Sequence, residues 1–338
     1  MIQTIYIEQA ALDHPRSKEI LKRYKSATVI TVQSHSEIFN GHNQNFRAQK
    51  QSPSLILALK ENTFVHPTPA QYETGGGAHY YFSHMLNCLY DCRYCFLQGM
   101  FQSAHYLLFV NYEEFVDEIK KIASSHANDE KPTWFFSGYD CDSLAFEPMS
   151  QFADFFIEQF EHIPNAVLEL RTKSTQIRSL LKRKASDKVV IAASLSPSEV
   201  AQAVELGAPA VSKRIDALQK LQEQGWKIGI RFDPVIWHEG YQESYARLAE
   251  QVFSQLDPEL LDSVTLGSFR VPKTFFKAMY KLYPEEPVFN FGLEQQDPSN
   301  GTMVSYRSDI ETQILDYVEQ LCLQHIQADR LYTYRSAT

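Results

Sequence analysis

The chain has 338 residues, 44% of them hydrophobic, and a formal net charge of −9. This length suits one large α/β domain with extensions, or two domains. There is no run of about 18 apolar residues and no N-terminal apolar signal core, so we expect a cytoplasmic protein without a membrane span. Proteins that coat long stretches of nucleic acid are usually basic, so nucleic-acid binding has to be argued here from local features.

Residues 1–74 predict an N-terminal α/β extension. Short strand-like and helical segments alternate there, in the order IQTIYIE, RSKEILKRY, TVITV and SLILALK. The glycine-rich TGGGAH at residues 74–79 predicts a flexible joint. The apolar segment HYYFSHMLN follows it and predicts a first buried strand that leads into a cysteine-rich loop.

Residues 75–272 predict the main α/β domain, because short apolar strands alternate with amphipathic helices. Counting the strand before the cysteine loop, six such units predict a parallel sheet that closes into a barrel or partial barrel. In that architecture, the active-site residues lie at the C-terminal ends of the strands. The predicted helices cover approximately residues 112–125, 149–161, 174–184, 211–224 and 242–256, and the later strands cover 133–138, 166–172, 188–196, 227–235 and 263–269.

Residues 273–338 predict a C-terminal α+β segment. A helix over TFFKAMYKLY is followed by two extended pieces around DPSNG at residues 297–301, and DIETQILDYVEQLCLQHI predicts the last helix. The dipeptide Asn300–Gly301 is typical of a tight hairpin turn, so the two extended pieces are expected to pair.

The cysteines point to metal or redox chemistry. The chain has five, Cys88, Cys92, Cys95, Cys141 and Cys322, and an odd number in a cytoplasmic protein argues against a disulfide framework. Three of them lie at spacings of four and three residues in one loop. Three thiolates suit a [4Fe–4S] cluster and leave one iron without a protein ligand.

An open iron gives such a cluster a specific chemistry. S-adenosylmethionine can chelate that iron through its amino and carboxylate groups, and one electron then releases a 5′-deoxyadenosyl radical. The alternative is a zinc site, with His79 or His84 as the fourth ligand. A non-catalytic iron–sulfur or zinc protein that binds a partner through its barrel is the corresponding functional alternative.

The loop CLYDCRYCFLQG matches the radical S-adenosylmethionine superfamily, and the chain resembles the spore photoproduct lyase family over most of its length. IYIEQAALDHP, LFVNYEEF, LRTKS, ELGAPAVSKRIDAL and DPVIWHEGYQESY carry the rest of the resemblance. It implies a partial (β/α)6 barrel, one [4Fe–4S] cluster held by the three loop cysteines, S-adenosylmethionine and a reduced flavodoxin or ferredoxin as electron donor. The substrate it implies is damaged DNA, in which the radical takes hydrogen from a dimeric thymine lesion that then fragments into two thymines.

The resemblance also assigns cofactor-binding residues. Lys173, at a strand end, matches a lysine that binds the carboxylate of S-adenosylmethionine, and Ser194 matches a serine near its methionyl group. Gly138, Tyr139 and Asp140 occupy the place of a backbone contact to the methionyl amine. Asp140 or Ser143 is expected near the cofactor. Ordinary alternatives are a surface lysine for Lys173 and a strand-end cap for Ser194.

The chain departs from the lyase pattern where the reaction ends. The lyase returns hydrogen to the thymine radical from a cysteine, whose position is taken here by Tyr139, with Cys141 two residues later. The lyase tyrosine after the third cluster cysteine is replaced by Phe96, whereas Tyr94 retains the other relay position. Either Cys141 or Tyr139 closes the reaction, or the enzyme acts on another substrate, such as a modified nucleotide, a peptide or a metabolite.

The substrate-binding end differs too. The lyase hairpin is rich in lysine and arginine, but the matching region here carries Glu294 and Asp297 and few cations before Arg307. His238–Glu239 could form an acid–base pair at the barrel mouth or be structural. Cations elsewhere could line a positive groove or simply be solvated; they are Lys182, Arg183, Lys184, Lys213, Arg214, Arg270 and Lys273.

Overall fold

The computed structural model describes residues 2–39, 41, 43–69, 77–295 and 303–336. Their strands, β1 to β18 in chain order, are Thr4–Glu8, Thr28–Val32, Leu55–Ala58, Val65–Pro67, His79–Phe82, Met85–Leu86, Asp91–Cys92, Tyr106–Phe109, Thr133–Ser137, Ala166–Thr172, Val189–Ser194, Glu205–Leu206, Lys227–Val235, Leu261–Ser268, Arg270–Pro272, Leu293–Gln295, Met303–Tyr306 and Leu331–Tyr334.

The α-helices of the described residues, α1 to α11 in chain order, are Pro15–Arg23, Phe46–Gln51, Leu97–Met100, Tyr112–Ser125, Glu147–Ser150, Phe152–Glu161, Ser198–Val204, Val211–Glu223, Tyr241–Gln255, Lys273–Leu282 and Ser308–Leu323. In the described part of the chain, no helix is long and apolar enough to cross a membrane. The chain divides into two compact units. Of the described residues, the first unit comprises those within 2–69, 77–89 and 101–169, and the second comprises 90–100, 170–295 and 303–336.

The first unit contains a five-stranded sheet in the order β2-β1-β3-β8-β6. The first four strands are parallel and β6 is antiparallel to β8. The central strand β3 has the sequence LILA and is buried along its whole length, as expected for a parallel strand covered on both faces. In the same unit, β5 pairs with β9 in parallel and with β4 in antiparallel orientation.

The second unit carries the parallel strands β11, β13, β14 and β18, which are neighbours in that order. Helices α8 and α9 alternate with these strands, and each buries one apolar face. Two smaller antiparallel arrangements complete the unit, β12 with β7 and β15-β17-β16. The carboxyl ends of β10 and β11 lead into Lys173 and Ser194, the two strand-end residues singled out in the sequence.

Most predicted elements form, and the differences have local causes. The predicted helix at residues 174–184 is wrong, since only the 3-10 turn Leu180–Lys182 forms there. The hydroxyl of Thr172 accepts from the Ser174 N–H and that of Ser174 from the Gln176 N–H, so side chains satisfy the backbone groups that would start a helix.

The C-terminal hairpin pairs as predicted, because Leu293–Gln295 and Met303–Tyr306 run antiparallel. Its expected turn at Asn300–Gly301, together with residues 74–76 of the glycine-rich joint and Asp297, lies outside the described residues. A final strand, Leu331–Tyr334, was not predicted and extends the parallel strands beside β14.

Candidate active site

The cysteine loop of the second unit is held by backbone pairing. Cys92 lies in β7 opposite Glu205 of β12, and the Arg93 N–H donates to the Val204 carbonyl at 2.7 Å. The Cys95 N–H donates to the Cys92 carbonyl at 3.0 Å, so one tight turn joins the two cysteines. The Cys92 residue is buried and Cys95 is half-buried. Backbone hydrogen bonds therefore hold the segment that carries both thiols in one conformation.

A buried carboxylate, Glu205, fastens this loop to the rest of the unit. Its Oε1 accepts hydrogen bonds from the Tyr94 hydroxyl and, at 3.1 Å, from the Ser196 hydroxyl. Its Oε2 lies 2.6 Å from Nη2 of Arg214, and both charged side chains are almost completely buried. Burial opposes ionisation, but Lys173 and Arg214 outweigh it and hold the pKa of Glu205 below its usual value.

Lys173 follows β10 directly and lies beside the cysteine loop. Its Nζ is 5.5 Å from the centroid of the Tyr94 ring. Burial would lower the pKa of Lys173, but Cys92, Glu205 and then Cys95 raise it above its usual value. A charged ammonium group is therefore stabilised next to two of the three loop cysteines, where it could meet the carboxylate of a bound ligand.

Ser194 is the last residue of β11, in the second unit. The residue is 8% exposed, and its carbonyl accepts a hydrogen bond from Nη1 of Arg214 at 3.2 Å. Arg214 also donates through Nε to the Pro209 carbonyl at 2.8 Å. The strand end that bears Ser194 is thus tied to the same arginine that holds Glu205.

In the first unit, the predicted cofactor loop follows β9 at residues 138–143. Gly138 has a φ of 89°, a conformation that side chains with a Cβ disfavour, so the chain can turn sharply off the strand there. The Ser143 hydroxyl lies 2.6 Å from that of Ser137 at the strand end. Asp142 Oδ1 accepts from the Leu144 and Ala145 N–H groups, which makes Asp142 a turn-forming residue.

Asp140 is a buried carboxyl group of this loop. The residue is 8% exposed, and burial raises its pKa, whereas a hydrogen bond with Ser83 and the positive charges of Lys60 and His66 act in the opposite direction. Lys60 in turn has a lowered pKa because of burial, partly offset by Asp140. The Asp140 carboxyl and the Lys60 ammonium group therefore influence each other's ionisation inside the first unit.

Tyr139 and Cys141 have opposite surroundings within the first unit. Tyr139 is 43% exposed, with its ring 4.6 Å from that of Tyr81. Cys141 is 5% exposed and packs in an apolar cluster with Ile5, Leu57 and others. Burial, followed by Cys88, raises the pKa of the Cys141 thiol well above its usual value. Cys141 is therefore a neutral core residue.

The histidines named as possible zinc ligands are engaged in packing. The ring of His84 stacks on Phe152 with centroids 3.6 Å apart, and its Nδ1 is 3.9 Å from the Cys141 sulfur. Burial lowers the pKa of His84 to about 3. His79 stacks on Phe136. Both rings therefore pack against phenylalanine rings of the first unit.

The donor chemistry of the three loop cysteines fits an iron–sulfur cluster. In the described part of the chain, no three His, Cys, Asp or Glu side chains are already gathered in a metal-binding arrangement. Cys88, in the first unit, is half-buried, as is Cys95. Three thiols on one short loop, two of them beside a cation, suit an anionic cluster with three protein ligands.

Two other positions singled out in the sequence, His238–Glu239 and Phe96, lie in the second unit. His238 Nε2 lies 2.9 Å from the Ser244 hydroxyl, at the start of α9, and Glu239 is exposed. That contact ties the loop that carries His238 to helix α9. Phe96 lies half-buried, with its ring 6.4 Å from that of Phe275.

Neither the central position of Glu205 in the second-unit network nor its ion pair with Arg214 was predicted from the sequence. The only available signal was their place in the segment ELGAPAVSKRIDAL, where an acid and a base lie nine positions apart. Separation along the chain does not predict such a pair, because it forms only when β12 and α8 fold back on the cysteine loop.

Comparisons with known proteins support one family. The sequence model of spore photoproduct lyase matches residues 1–298. The chain is 26% identical to spore photoproduct lyase of Bacillus subtilis (strain 168) over 292 residues, covering 84% of this chain and 82% of that protein. A lyase of Geobacillus sp. (strain Y412MC61) is 22% identical over 289 residues, covering 83% and 82%.

Solved structures agree in fold. A mutant spore photoproduct lyase with bound S-adenosylmethionine and dinucleoside spore photoproduct has a TM-score of 0.86 at 18% identity, covering 100% of this chain and 99% of that one. A lyase complexed with the dinucleoside photoproduct has a TM-score of 0.84 at 19% identity, covering 99% and 98%. This likeness confirms the predicted α/β fold with a partial barrel.

Proposed function

The chain belongs to the spore photoproduct lyase family of radical S-adenosylmethionine enzymes, and we propose that it reverses a methylene-bridged thymine dimer in DNA. The family match covers residues 1–298, which include both candidate regions. A similar protein has been solved with S-adenosylmethionine and the dinucleoside photoproduct together. A repair enzyme acting on genomic DNA would work in the cytoplasm.

One observation carries this proposal, the position of Lys173 beside Tyr94 of the cysteine loop. A fixed cation next to cluster-binding thiols is what a cofactor with a carboxylate, bound at an open iron, would need. In the second unit, we assign Lys173 to that carboxylate and Ser194 to the methionyl group. Glu205 accepts a hydrogen bond from the Tyr94 hydroxyl, and after Cys92 it raises the pKa of Lys173.

We assign Cys88, Cys92 and Cys95 as the ligands of a [4Fe–4S] cluster. The cluster with S-adenosylmethionine supplies a 5′-deoxyadenosyl radical from one electron. The protein contributes the positions of the thiols and the surrounding charge. The Cys92–Cys95 turn fixes two sulfur atoms, and Lys173 lowers the cost of gathering negative charge around them.

In the first unit, we assign Gly138, Asp140 and Ser143 to the cofactor. Gly138 turns the backbone off β9 and leaves its peptide groups without an obstructing side chain. Asp140 offers a buried carboxyl that could accept from an amine, and Ser143 a buried hydroxyl. Asp142 shapes this loop by capping its own turn.

We assign the final hydrogen transfer to Tyr139 and not to Cys141. Tyr139 is exposed, and its phenolic O–H can give a hydrogen atom to a carbon radical, leaving the unpaired electron on the tyrosine. Cys141 is enclosed in the apolar cluster of the first unit and has no comparable access to a substrate. Tyr94 is the remaining relay tyrosine, and its hydroxyl is bound to Glu205.

A second candidate function is a radical reaction of the same family on another substrate. Two features favour it. Phe96 has no O–H group, and the hairpin strand Leu293–Gln295 carries Glu294 where a DNA-binding hairpin would be expected to carry cations.

The proposal is tested with protein reconstituted anaerobically and supplied with dithionite, S-adenosylmethionine and the dinucleotide spore photoproduct. We expect both 5′-deoxyadenosine and repaired thymidylyl-thymidine. Formation of 5′-deoxyadenosine without repair would favour the second candidate function. The variant Cys92→Ala should bind little iron and form no 5′-deoxyadenosine, while Cys322→Ala, in a buried helical position, should retain both.

The variants Tyr139→Phe and Cys141→Ala distinguish between the two candidate hydrogen donors. Tyr139→Phe should leave 5′-deoxyadenosine formation intact but divert product toward unrepaired or adducted thymine. Cys141→Ala should repair normally. Normal repair by Tyr139→Phe together with failure of Cys141→Ala would reverse the assignment.

A further inference from the structure

Helix α10, Lys273–Leu282, carries a row of lysines in a chain with a net charge of −9. Lys273, Lys277 and Lys281 are spaced four residues apart, so they lie on one face of the helix. Lys277 and Lys281 are exposed, and Tyr280, on the same side, is 43% exposed. The helix contains no acidic residue. We call Lys273, Lys277, Lys281 and Tyr280 the α10 lysine face.

The opposite face of α10 packs against α3, the short helix Leu97–Met100 that follows the cysteine loop. A Cβ built on Gly99 would lie 2.2 Å from the Phe275 carbonyl oxygen, so only glycine permits this close backbone approach. The ring of Phe275 also faces that of Phe96, the residue after Cys95. The lysine face is therefore carried by a helix in direct contact with the cysteine loop of the same unit.

We propose that the α10 lysine face is the docking surface for an acidic protein that carries one electron. The proposal rests on the proposed function, since only a radical enzyme with a reducible cluster needs such a carrier. On docking, one electron passes from the reduced carrier, which is oxidised, to the cluster, which is reduced.

Charge and position both favour this partner. An acidic carrier is repelled by the overall charge of −9, so productive encounters need a local positive surface, and complementary charge mainly raises the rate of association. Electron-transfer interfaces are small and weak, which one helix face can provide. Nucleic acid is the competing anionic partner, but contact between α10 and the cysteine loop specifically suits delivery of electrons.

The test compares two reductants for the reconstituted holoenzyme. A reduced flavodoxin of net negative charge must dock, whereas dithionite is a small reductant that needs no docking surface. The test variant is Lys277→Glu/Lys281→Glu. The matched control is Lys213→Glu/Lys220→Glu, which reverses two exposed lysines of α8 in the same unit.

The test variant should form 5′-deoxyadenosine at least about tenfold more slowly with flavodoxin at low ionic strength, and the deficit should shrink with added salt. Its rate with dithionite should equal that of wild type. Calorimetric titration of oxidised flavodoxin into the holoenzyme should show a matching loss of affinity. The α8 control should behave as wild type in all three measurements.

Equal flavodoxin affinity and rate in the test variant and wild type would overturn the proposal. So would a loss of affinity for a DNA duplex with flavodoxin binding unchanged, which would assign the face to nucleic acid. If wild type forms no 5′-deoxyadenosine even with dithionite, the proposed function fails. The calorimetric titration still decides the docking surface separately.

Discussion

The surroundings of Tyr94 in the second unit and of Cys141 in the first are built by different forces. Tyr94 is fixed by charge, since its hydroxyl binds a buried carboxylate that is itself paired with Arg214 and stabilised by Lys173. Cys141 is fixed by apolar packing and a neutral histidine. Removing one member of a buried ion pair lowers the folding stability strongly. A residue in an apolar cluster can be replaced by one of similar volume with a smaller loss of stability.

This contrast matches the proposed division of chemistry. The groups assigned to radical formation depend on the charged network, so they should be sensitive to single changes of charge. In the loop assigned to the final hydrogen transfer, the Tyr139 side chain is exposed and the Cys141 side chain is buried. It can present a different hydrogen donor without disturbing the charged network.

The largest effect is expected for Glu205→Gln. The substitution leaves Arg214 buried without its negative partner, and breaking such a pair by removing one member costs about 3–5 kcal/mol. The free energy of unfolding in urea should fall by that amount. Iron incorporation should fall too, because the cysteine loop loses its anchor.

Tyr94→Phe is the matched control for this experiment. It removes only the hydrogen bond to Glu205 and keeps the ion pair, so its cost should be about 0.5–3 kcal/mol. If Glu205→Gln is no more destabilising than Tyr94→Phe, the buried ion pair does not stabilise the second unit.

A smaller effect is expected for Lys173→Gln on cofactor binding. Hydrogen bonds to charged groups contribute about 1.5–3 kcal/mol, so the affinity for S-adenosylmethionine should fall about 10- to 150-fold in equilibrium binding. Lys182→Gln removes an exposed lysine nearby in sequence and should bind the cofactor normally. Unchanged affinity in Lys173→Gln would make Lys173 a structural partner of Glu205.

The smallest effect, expressed as the change in the free energy of unfolding per pH unit, is expected from the protonation of His84. The pKa of His84 is about 3 in the folded protein, whereas an exposed histidine titrates near 6.5. The unfolded chain therefore takes up a proton as the pH falls below about 6.5, and the folded chain does not. The contribution of His84 to the free energy of unfolding is therefore complete above about pH 6.5 and is lost as the pH falls toward 3. The loss is at most about 1.4 kcal/mol per pH unit.

Urea unfolding at several pH values from 7 down to 5 checks this. His84→Gln should reduce the loss of stability with falling pH, although it is less stable at pH 7 because it no longer stacks on Phe152. His162→Gln, at an exposed position, should retain the wild-type slope. An unchanged slope in His84→Gln would show that the ring is not held neutral in the first unit.

Much of the fold was predictable because hydrophobic periodicity sets it locally. Helix Tyr112–Ser125 and strands Ala166–Thr172 and Lys227–Val235 have the predicted bounds. The failure at residues 174–184 arose where hydroxyl groups compete for backbone N–H groups, an interaction that periodicity does not register. The edge strand Leu331–Tyr334 depends on a neighbour far away in sequence, so its own pattern carried little signal.

The sequence by itself determined the family, the three-cysteine loop and the strand ends that bear Lys173 and Ser194, because these follow from residue type, spacing and local pattern. Only the tertiary structure decided that Glu205 joins Tyr94, Ser196 and Arg214, that Tyr139 is exposed while Cys141 is enclosed, and that α10 lies on the cysteine loop. Burial and long-range pairing arise from how distant segments pack, and one sequence does not specify which distant segments meet.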